Sequence, residues 1–237
     1  MVNKNLFFRT IYCYYNIFIR NYKYLFKKNS QFSEDKVIEK LFKNNFNGKF
    51  VDIGCFHPTR DNNTYRLYRK GWRGINIDLN PLSIDLFKIL RSKDININAA
   101  ISSKNKTTKF FFKGELSPLN TLDKNQLNFF KSRFLINKND FKEKIIKTIK
   151  INDVLEKYKY QNIDFMSIDV EGLEYEIIKS INLKRYNINI FCIEILKHNK
   201  KSVMKCNKLI NYLKKKNYLL ISKTPINYFF RKDEKKK

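Results

Sequence analysis

From about residue 33 onward the chain alternates short apolar runs with amphipathic stretches. KFVDIG (49–54), GINIDLN (74–80), ININAAIS (95–102), IDFMSIDVEG (163–172) and NIFCIEIL (189–196) are β-branched and apolar on both parities. That is the pattern of strands buried on both faces of a parallel sheet. Helical segments separate them. Thr64 to Lys70 stops at Gly71, a residue suited to the left-handed position after a helix. Asn80-Pro81 before LSIDLFKILR reads as an N-cap and N1 proline, with Leu82, Leu86, Ile89 and Leu90 on the apolar face. EGLEYEIIKS (171–180) predicts a helix with acids in its first turn and Ile177, Ile178 and Ile181 turned inward. The alternation predicts an α/β fold with a doubly wound, mostly parallel sheet.

Two regions depart from the alternation. TTKFFFK (107–113) predicts an extra strand, residues 114–146 a loop with a helix, and KTIKINDVLEKY a short strand running into a helix. An insertion at this point is placed to cover the carboxyl ends of the strands as a substrate lid. Residues 1–30 hold six Lys or Arg, no acid and many aromatics. The uncharged run Thr10 to Ile19 is about half of what a bilayer-spanning helix needs, and Arg9 interrupts any signal-like apolar stretch. Two readings stand for this helix: one lying on an anionic membrane, or one capping the domain. The chain thus divides into an N-terminal aromatic-basic helix (1–32), one domain (33–230) and a basic tail (231–237).

Composition changes the picture little. At 237 residues, 43% hydrophobic and 15% aromatic, the chain is long and apolar enough for one α/β core and is not disordered throughout. The four cysteines, Cys13, Cys55, Cys192 and Cys206, form no CxxC pair. They support neither a zinc site nor a disulfide framework, and fit a reducing, cytoplasmic setting. A net charge of +27 invites nucleic acid or anionic lipid. Arg, the better bidentate phosphate reader, supplies only 10 of the 49 basic residues. The abundant Lys, Asn, Ile, Phe and Tyr all have A/T-rich codons, so genome composition accounts for much of the basicity. A basic RNA-binding protein or RNA methyltransferase is the alternative function. It lacks a visible RNA motif, and no nucleic-acid partner is expected.

Ligands of open α/β sheets bind outside the strands' carboxyl ends. There the sequence places Asp52 and Gly54, Asp78 and Asn80, Asn98 and Ser102, Asp169 and Glu171, and Glu194. The dinucleotide fingerprint fails, because Phe56 and Thr59 stand where its second and third glycines belong, and there is no P-loop. A strand-end acid 26 residues after the first suits the two hydroxyls of a ribose. A nucleoside without pyrophosphate fits best. Asp164, Asp169, Glu171, Glu174 and Glu176 form an acidic island in a basic chain. It suits a cation such as a sulfonium, or is a helix start collecting acids.

At SQFSED (30–35), FVDIGCFHP (50–58), DNNTYRLYRKGWRGINIDLNP (61–81), DFMSIDVEGLEYEIIKS (164–180) and FCIEI (191–195) the chain resembles the FkbM-type S-adenosylmethionine-dependent methyltransferases. The resemblance runs from about Ser30 to Leu196, and the family's usual glycine in the first segment is Ser33 here. It implies a class I methyltransferase fold, Rossmann-like, with an added N-terminal helix. It implies methyl transfer to a hydroxyl, of a sugar in a cell-surface glycan or its precursor, or of another small molecule. By the resemblance Asp52 and Gly54 line the methionine portion, Asp78 holds the ribose, and Asn98 and Ala99 meet the adenine edge. Gln31, Asn80, Asp169 and Glu171 complete the cofactor set.

A hydroxyl nucleophile must lose its proton during attack. Only two histidines exist, His57 and His198, each just after a strand end. His57 is the first candidate base and Asp169 the second, with the alternative that His57 is bonded inside its own turn. Asp169 and Glu194 end neighbouring strands, where they suit a shared proton or an oxygen-ligated ion such as Mg²⁺. The catalytic set expected is therefore His57, Asp169 and Glu194. The basic helix would hold such an enzyme at the inner face of the membrane, near anionic intermediates.

Overall fold

The computed structural model describes residues 4–26, 30–42, 47–137, 140–197 and 199–233. Five apolar runs become the parallel centre of a seven-stranded sheet. In chain order these strands are β1 (Lys49–Ile53), β2 (Arg73–Asp78), β3 (Ile95–Asn98), β7 (Asn162–Ile168) and β8 (Asn187–Glu194). Between β3 and β7 lie β4 (Ala100–Ser102), β5 (Lys106–Phe112) and β6 (Lys142–Lys150), and the chain ends with β9 (Tyr218–Lys223) and β10 (Asn227–Lys232). The sheet order is β3-β2-β1-β7-β8-β10-β9. Pairings from β3 to β8 are parallel, while β10 runs antiparallel to both β8 and β9. The chain winds outward from β1 in one direction and from β7 in the other, so the crevice between them is the switch point of a doubly wound sheet.

Parity within each strand assigns the two faces. Val51, Ile53, Met166, Ile168, Phe191 and Ile193 pack with helices α6 (Ile151–Lys157), α7 (Glu174–Ser180) and α8 (Lys200–Lys215). Phe50, Phe165, Ile190 and Phe229 face the other way, against Ile38 of α2 (Glu34–Leu41), Leu67 of α3 (Tyr65–Arg69) and Trp72. Helix α4 (Pro81–Leu90) starts as its sequence dictates: the Asn80 side chain accepts from the Leu82 N–H at 3.0 Å, with Pro81 at N1. Gly71 takes φ +96° after α3.

Several boundaries differ from the sequence reading. The run 95–102 is two strands, because Ala99 donates its N–H to the Asp78 carbonyl (3.0 Å) and β4 then leaves for a small sheet of order β4-β6-β5. The extra strand over 107–113 is present as β5, and α5 (Lys124–Phe134) is the helix of the insertion. Strand β6, however, begins at Lys142, inside the stretch read as loop and helix. Its residues are mostly exposed, and pairing along β5 from Lys106 to Phe112 outweighs its polar pattern. The helix expected from Glu171 starts at Glu174, since Glu171 (φ +53°) and Gly172 (φ +112°) are left-handed and incompatible with a helical turn.

The N-terminal helix is shorter than expected over 1–32. Helix α1 (Lys4–Tyr15) passes into a π-turn at Asn16–Arg20 and a 3-10 turn at Tyr22–Leu25, and residues 30–32 are irregular. Cys13 and Ile17 pack against Leu82 and Leu86 of α4, and Arg9 Nε meets Asp85 Oδ2 at 2.6 Å. Of the tail expected at 231–237, Arg231 and Lys232 belong to β10, and 234–237 lie outside the described residues. Among the described residues no helix is long and apolar enough to cross a membrane.

Candidate functional site

A cleft of about 1080 Å³ opens over the carboxyl ends of β1, β2, β7 and β8. At its floor Gly54 holds φ +78°, and a Cβ there would lie 1.6 Å from the Asp169 carbonyl oxygen. Only glycine lets the chain leaving β1 pass this close to the end of β7. Gly54 and Cys55 donate their N–H groups to the Ile77 carbonyl at 2.8 and 3.2 Å, stitching this loop to β2. Asp78, at the end of β2, accepts from Phe56 N–H through Oδ2 (2.9 Å) and from Asn80 N–H through Oδ1 (2.7 Å). Burial pushes its carboxyl up to about 6. Each Asp78 oxygen thus carries one backbone donor and keeps a lone pair for another.

The other wall is acidic. Asp169, Glu171 and Glu194 bring ligating oxygens within 4.8 Å of one another. Burial first, and then the neighbouring carboxylates, push Asp169 up to about 7 and raise Glu171 and Glu194 well above the usual carboxylate range. The loop is held from behind, where Glu174 Oε1 accepts from the N–H groups of Val170 (3.2 Å) and Gly172 (2.9 Å). Insertion residues clamp it from in front: Gln126 Nε2 donates to Glu171 Oε2 (3.1 Å) and Thr121 Oγ1 to the Glu171 carbonyl (2.8 Å). The acids read either as a wall for a cation or as a helix start divide between the two. Glu174 and Glu176 occupy the first turn of α7, whereas Asp169 and Glu171 precede it.

The structure brings Gln31, Gly54, Asp78, Asn80, Ala99, Asp169, Glu171 and Glu194 to the cleft. It places three expected residues elsewhere. Asp52 is buried inside β1, where Oδ2 accepts from Thr64 Oγ1 (2.7 Å) and Asn62 Nδ2 (3.2 Å). Thr64 and Asn62 in turn accept from the fully buried Arg91, which pairs with Asp94 at 2.9 Å. Asp52 is therefore part of a buried hydrogen-bond network and is not among the residues lining the cleft. Asn98 is exposed, its Nδ2 donating to the Asp78 carbonyl (2.9 Å), outside the cleft.

His57 is the third, and its placement corrects the choice of base. Its ring is fully buried. Nδ1 accepts from the N–H groups of Thr59 (3.2 Å) and Arg60 (3.0 Å), which leaves the proton on Nε2, 3.0 Å from Asn16 Oδ1. Burial lowers its pKa to about 3. The ring is a neutral latch between the N-terminal π-turn and the cleft loop. His198 lies outside the described residues.

The insertion, expected to cover the carboxyl ends of the strands, lines the cleft with residues that sequence reasoning did not name. Leu116 to Leu122, Phe129, Phe130, Arg133 and Phe134 line the outer cleft, facing Phe32 and Arg60. No motif marks them. The position of the insertion between core strands was the available signal.

The sequence model for the methyltransferase FkbM domain matches residues 52–220. The chain belongs to this family. It is accordingly an S-adenosylmethionine-dependent methyltransferase. Solved structures similar to this FkbM methyltransferase include the O-methyltransferase from Bacillus cereus in complex with SAH, at 13% identity over 84% of this chain and 79% of that one, TM-score 0.44. Another is the Methanococcus jannaschii fibrillarin pre-rRNA processing protein, at 10% identity over 78% and 66% of the two chains, TM-score 0.37. No curated protein matches the chain.

Proposed function

We propose that this methyltransferase moves the methyl group of S-adenosylmethionine to an alcohol oxygen, and that the acceptor is a sugar hydroxyl of a cell-surface glycan or its precursor. The observation that carries the reading is the charge of the cleft. In a chain of net charge +27, the cleft gathers Asp61, Asp78, Asp169, Glu171 and Glu194 against only Arg60 and Arg133. Such a wall favours a cation like the sulfonium and disfavours a phosphate chain, which tells against RNA as acceptor. Asp78 has the free lone pairs to accept from a ribose, and Gly54, which lets the loop after β1 pass against the end of β7, lines the cleft beside it. Gln31, Asn80 and Ala99 border the nucleoside. The outer aromatics Phe32, Phe129, Phe130 and Phe134 offer flat apolar faces to the C–H face of a sugar, with carboxylates nearby for its hydroxyls.

The donor supplies an activated methyl: a carbon–sulfur bond breaks, a carbon–oxygen bond forms, and sulfur leaves as a neutral thioether. The chain's own part is alignment of the acceptor oxygen and removal of its proton. Asp169 and Glu194 are crowded together and both raised, by burial first and then by neighbouring carboxylates, and the ionised member of the pair accepts the acceptor's proton. The same trio, Asp169, Glu171 and Glu194, would hold Mg²⁺ through oxygens, an ion that lowers a hydroxyl's pKa.

Calorimetric titration with S-adenosylmethionine tests the cofactor half of this reading. Micromolar binding is expected, with Asp78→Asn weakening it at least tenfold, about 1.4 kcal/mol, through the lost ribose acceptor. A folded Asp78→Asn protein of unchanged affinity removes Asp78 from the ribose. A folded protein that binds no S-adenosylmethionine, with or without Mg²⁺, overturns the proposal.

A further inference from the structure

Among the described residues, eleven of the twenty exposed large hydrophobic side chains fall between Leu6 and Phe26. They stand well clear of the domain: Phe8 is 65% exposed, Ile19 64%, Tyr22 60% and Phe26 78%. One side of this segment, Cys13 and Ile17, is consumed by packing on α4, while its aromatics remain exposed. An apolar surface of this density, interrupted only by Thr10, Arg20 and Lys23 among its exposed residues, is uncommon on a lone soluble domain and marks a contact surface.

Charge says what it contacts. The 33 residues before Glu34 carry six Lys or Arg and no acid. Of these, Arg20 and Lys23 are exposed, while Arg9 is engaged by Asp85, with Glu115 4.0 Å away. A second copy of the same face would bring like charges together. The composition, rich in Tyr and Phe with cations at the margin, matches side chains that settle at the boundary of lipid headgroups and acyl chains. We infer that residues 6–26 dock this enzyme on an anionic lipid bilayer.

The docking surface and the cleft share a wall. Tyr24 of this segment lines the cleft, as do Gln31 and Phe32 shortly after it. His57 bonds Asn16 of the π-turn to the loop carrying Phe56 and Arg60, so the two surfaces are held in one orientation. Docking therefore sets the cleft mouth beside the headgroup layer, where the acceptor is a sugar carried on a lipid. That last consequence deepens the proposed function and rests on it, whereas the docking itself does not.

Cosedimentation of the full chain with vesicles tests the inference without any methyl donor. Binding is expected to vesicles of phosphatidylcholine with about one-third phosphatidylglycerol, and to fall at least tenfold on pure phosphatidylcholine or in high salt. Phe8→Ser with Ile19→Ser, both at exposed positions, should lower binding at least tenfold while melting temperature and net charge stay unchanged. Arg20→Ala with Lys23→Ala should weaken it as well. Equal binding to neutral vesicles, or none to either, overturns the inference. So does undiminished binding by the serine variant, a dimer that the same substitutions dissociate, or tighter binding to an RNA oligomer that they abolish. Affinity for S-adenosylmethionine, measured without vesicles, reports separately on the methyltransferase reading and stands whatever the vesicles show.

Discussion

Ser33 holds φ 66°, in the left-handed region, at the position before α2, and its side chain makes no capping bond there. A side chain in this conformation costs roughly 1 kcal/mol relative to glycine. A glycine at this point would relieve that cost. Ser33→Gly is expected to stabilise the fold by about 0.5 kcal/mol, after the added unfolded-state entropy of glycine, and denaturant titration will show it. His57 illustrates what sequence position leaves out. A histidine just after a strand end was legible as a candidate base, yet the direction of its ring is set by two backbone N–H donors and by Asn16, 41 residues away. The placement of Asp52 depends likewise on distant partners: it shares the parity of Phe50, toward the Arg91 network. His57→Gln should cost about 1–3 kcal/mol of stability by leaving buried donors unpaired. It should leave the pH–rate profile unchanged in shape, and a profile that loses a limb would return His57 to the chemistry.

At the scale of elements, the strands that carry the site were readable because burial on both faces writes an unmistakable apolar run, and three of the five runs end at an acid that lines the cleft. Asp78, Asp169 and Glu194 follow from that alone. What was not readable depends on distant partners. The break at Ala99 needs the Asp78 carbonyl, β6 needs β5, and α7 starts late because Glu171 and Gly172 turn left-handed to meet Gln126 and Thr121. The hairpin of β9 and β10 and helix α8 went unassigned; β9 is mostly exposed, and β10 buries only the short run Asn227 to Phe230 before Arg231 and Lys232. Glu34 shows the coupling: its carboxylate accepts from Thr224, Asn227 and the Phe32 N–H, tying hairpin, α2 and cleft wall together. The acid loop itself predicts a pH dependence. With Asp169 at about 7, a carboxylate base is active when ionised, so kcat/KM should rise with pH through a midpoint near 7. Asp169→Asn should lower kcat by roughly 10²-fold or more while binding of the donor persists. A flat profile between pH 5.5 and 8.5 would remove the pair from proton transfer.

The whole molecule sets two fields against each other, a basic surface and an acidic cleft. Asp78 and Asp169 titrate at about 6 and about 7 in the fold, above the ordinary 3.8 of an unfolded aspartate. Their folded pKa values are raised, so the fold gains from their protons at low pH. That contribution is complete below about pH 4 and is lost as pH rises through 6 to 7. A cation bound in the cleft opposes this loss, since it favours the charged carboxylates. S-adenosylmethionine carries that positive charge and S-adenosylhomocysteine does not, while the two share the ribose and adenine contacts. The ratio of their affinities therefore isolates the field of the cleft. It should shift toward S-adenosylmethionine by about tenfold between pH 5 and pH 8, as the acids ionise beside the sulfonium. The thermal shift given by S-adenosylmethionine should grow over the same window by the corresponding linkage. Titration calorimetry at the two pH values decides the matter. A constant ratio would mean that the carboxylates stay neutral or lie away from the sulfur, and that the acidic wall is built for the acceptor or a metal ion and not for the donor.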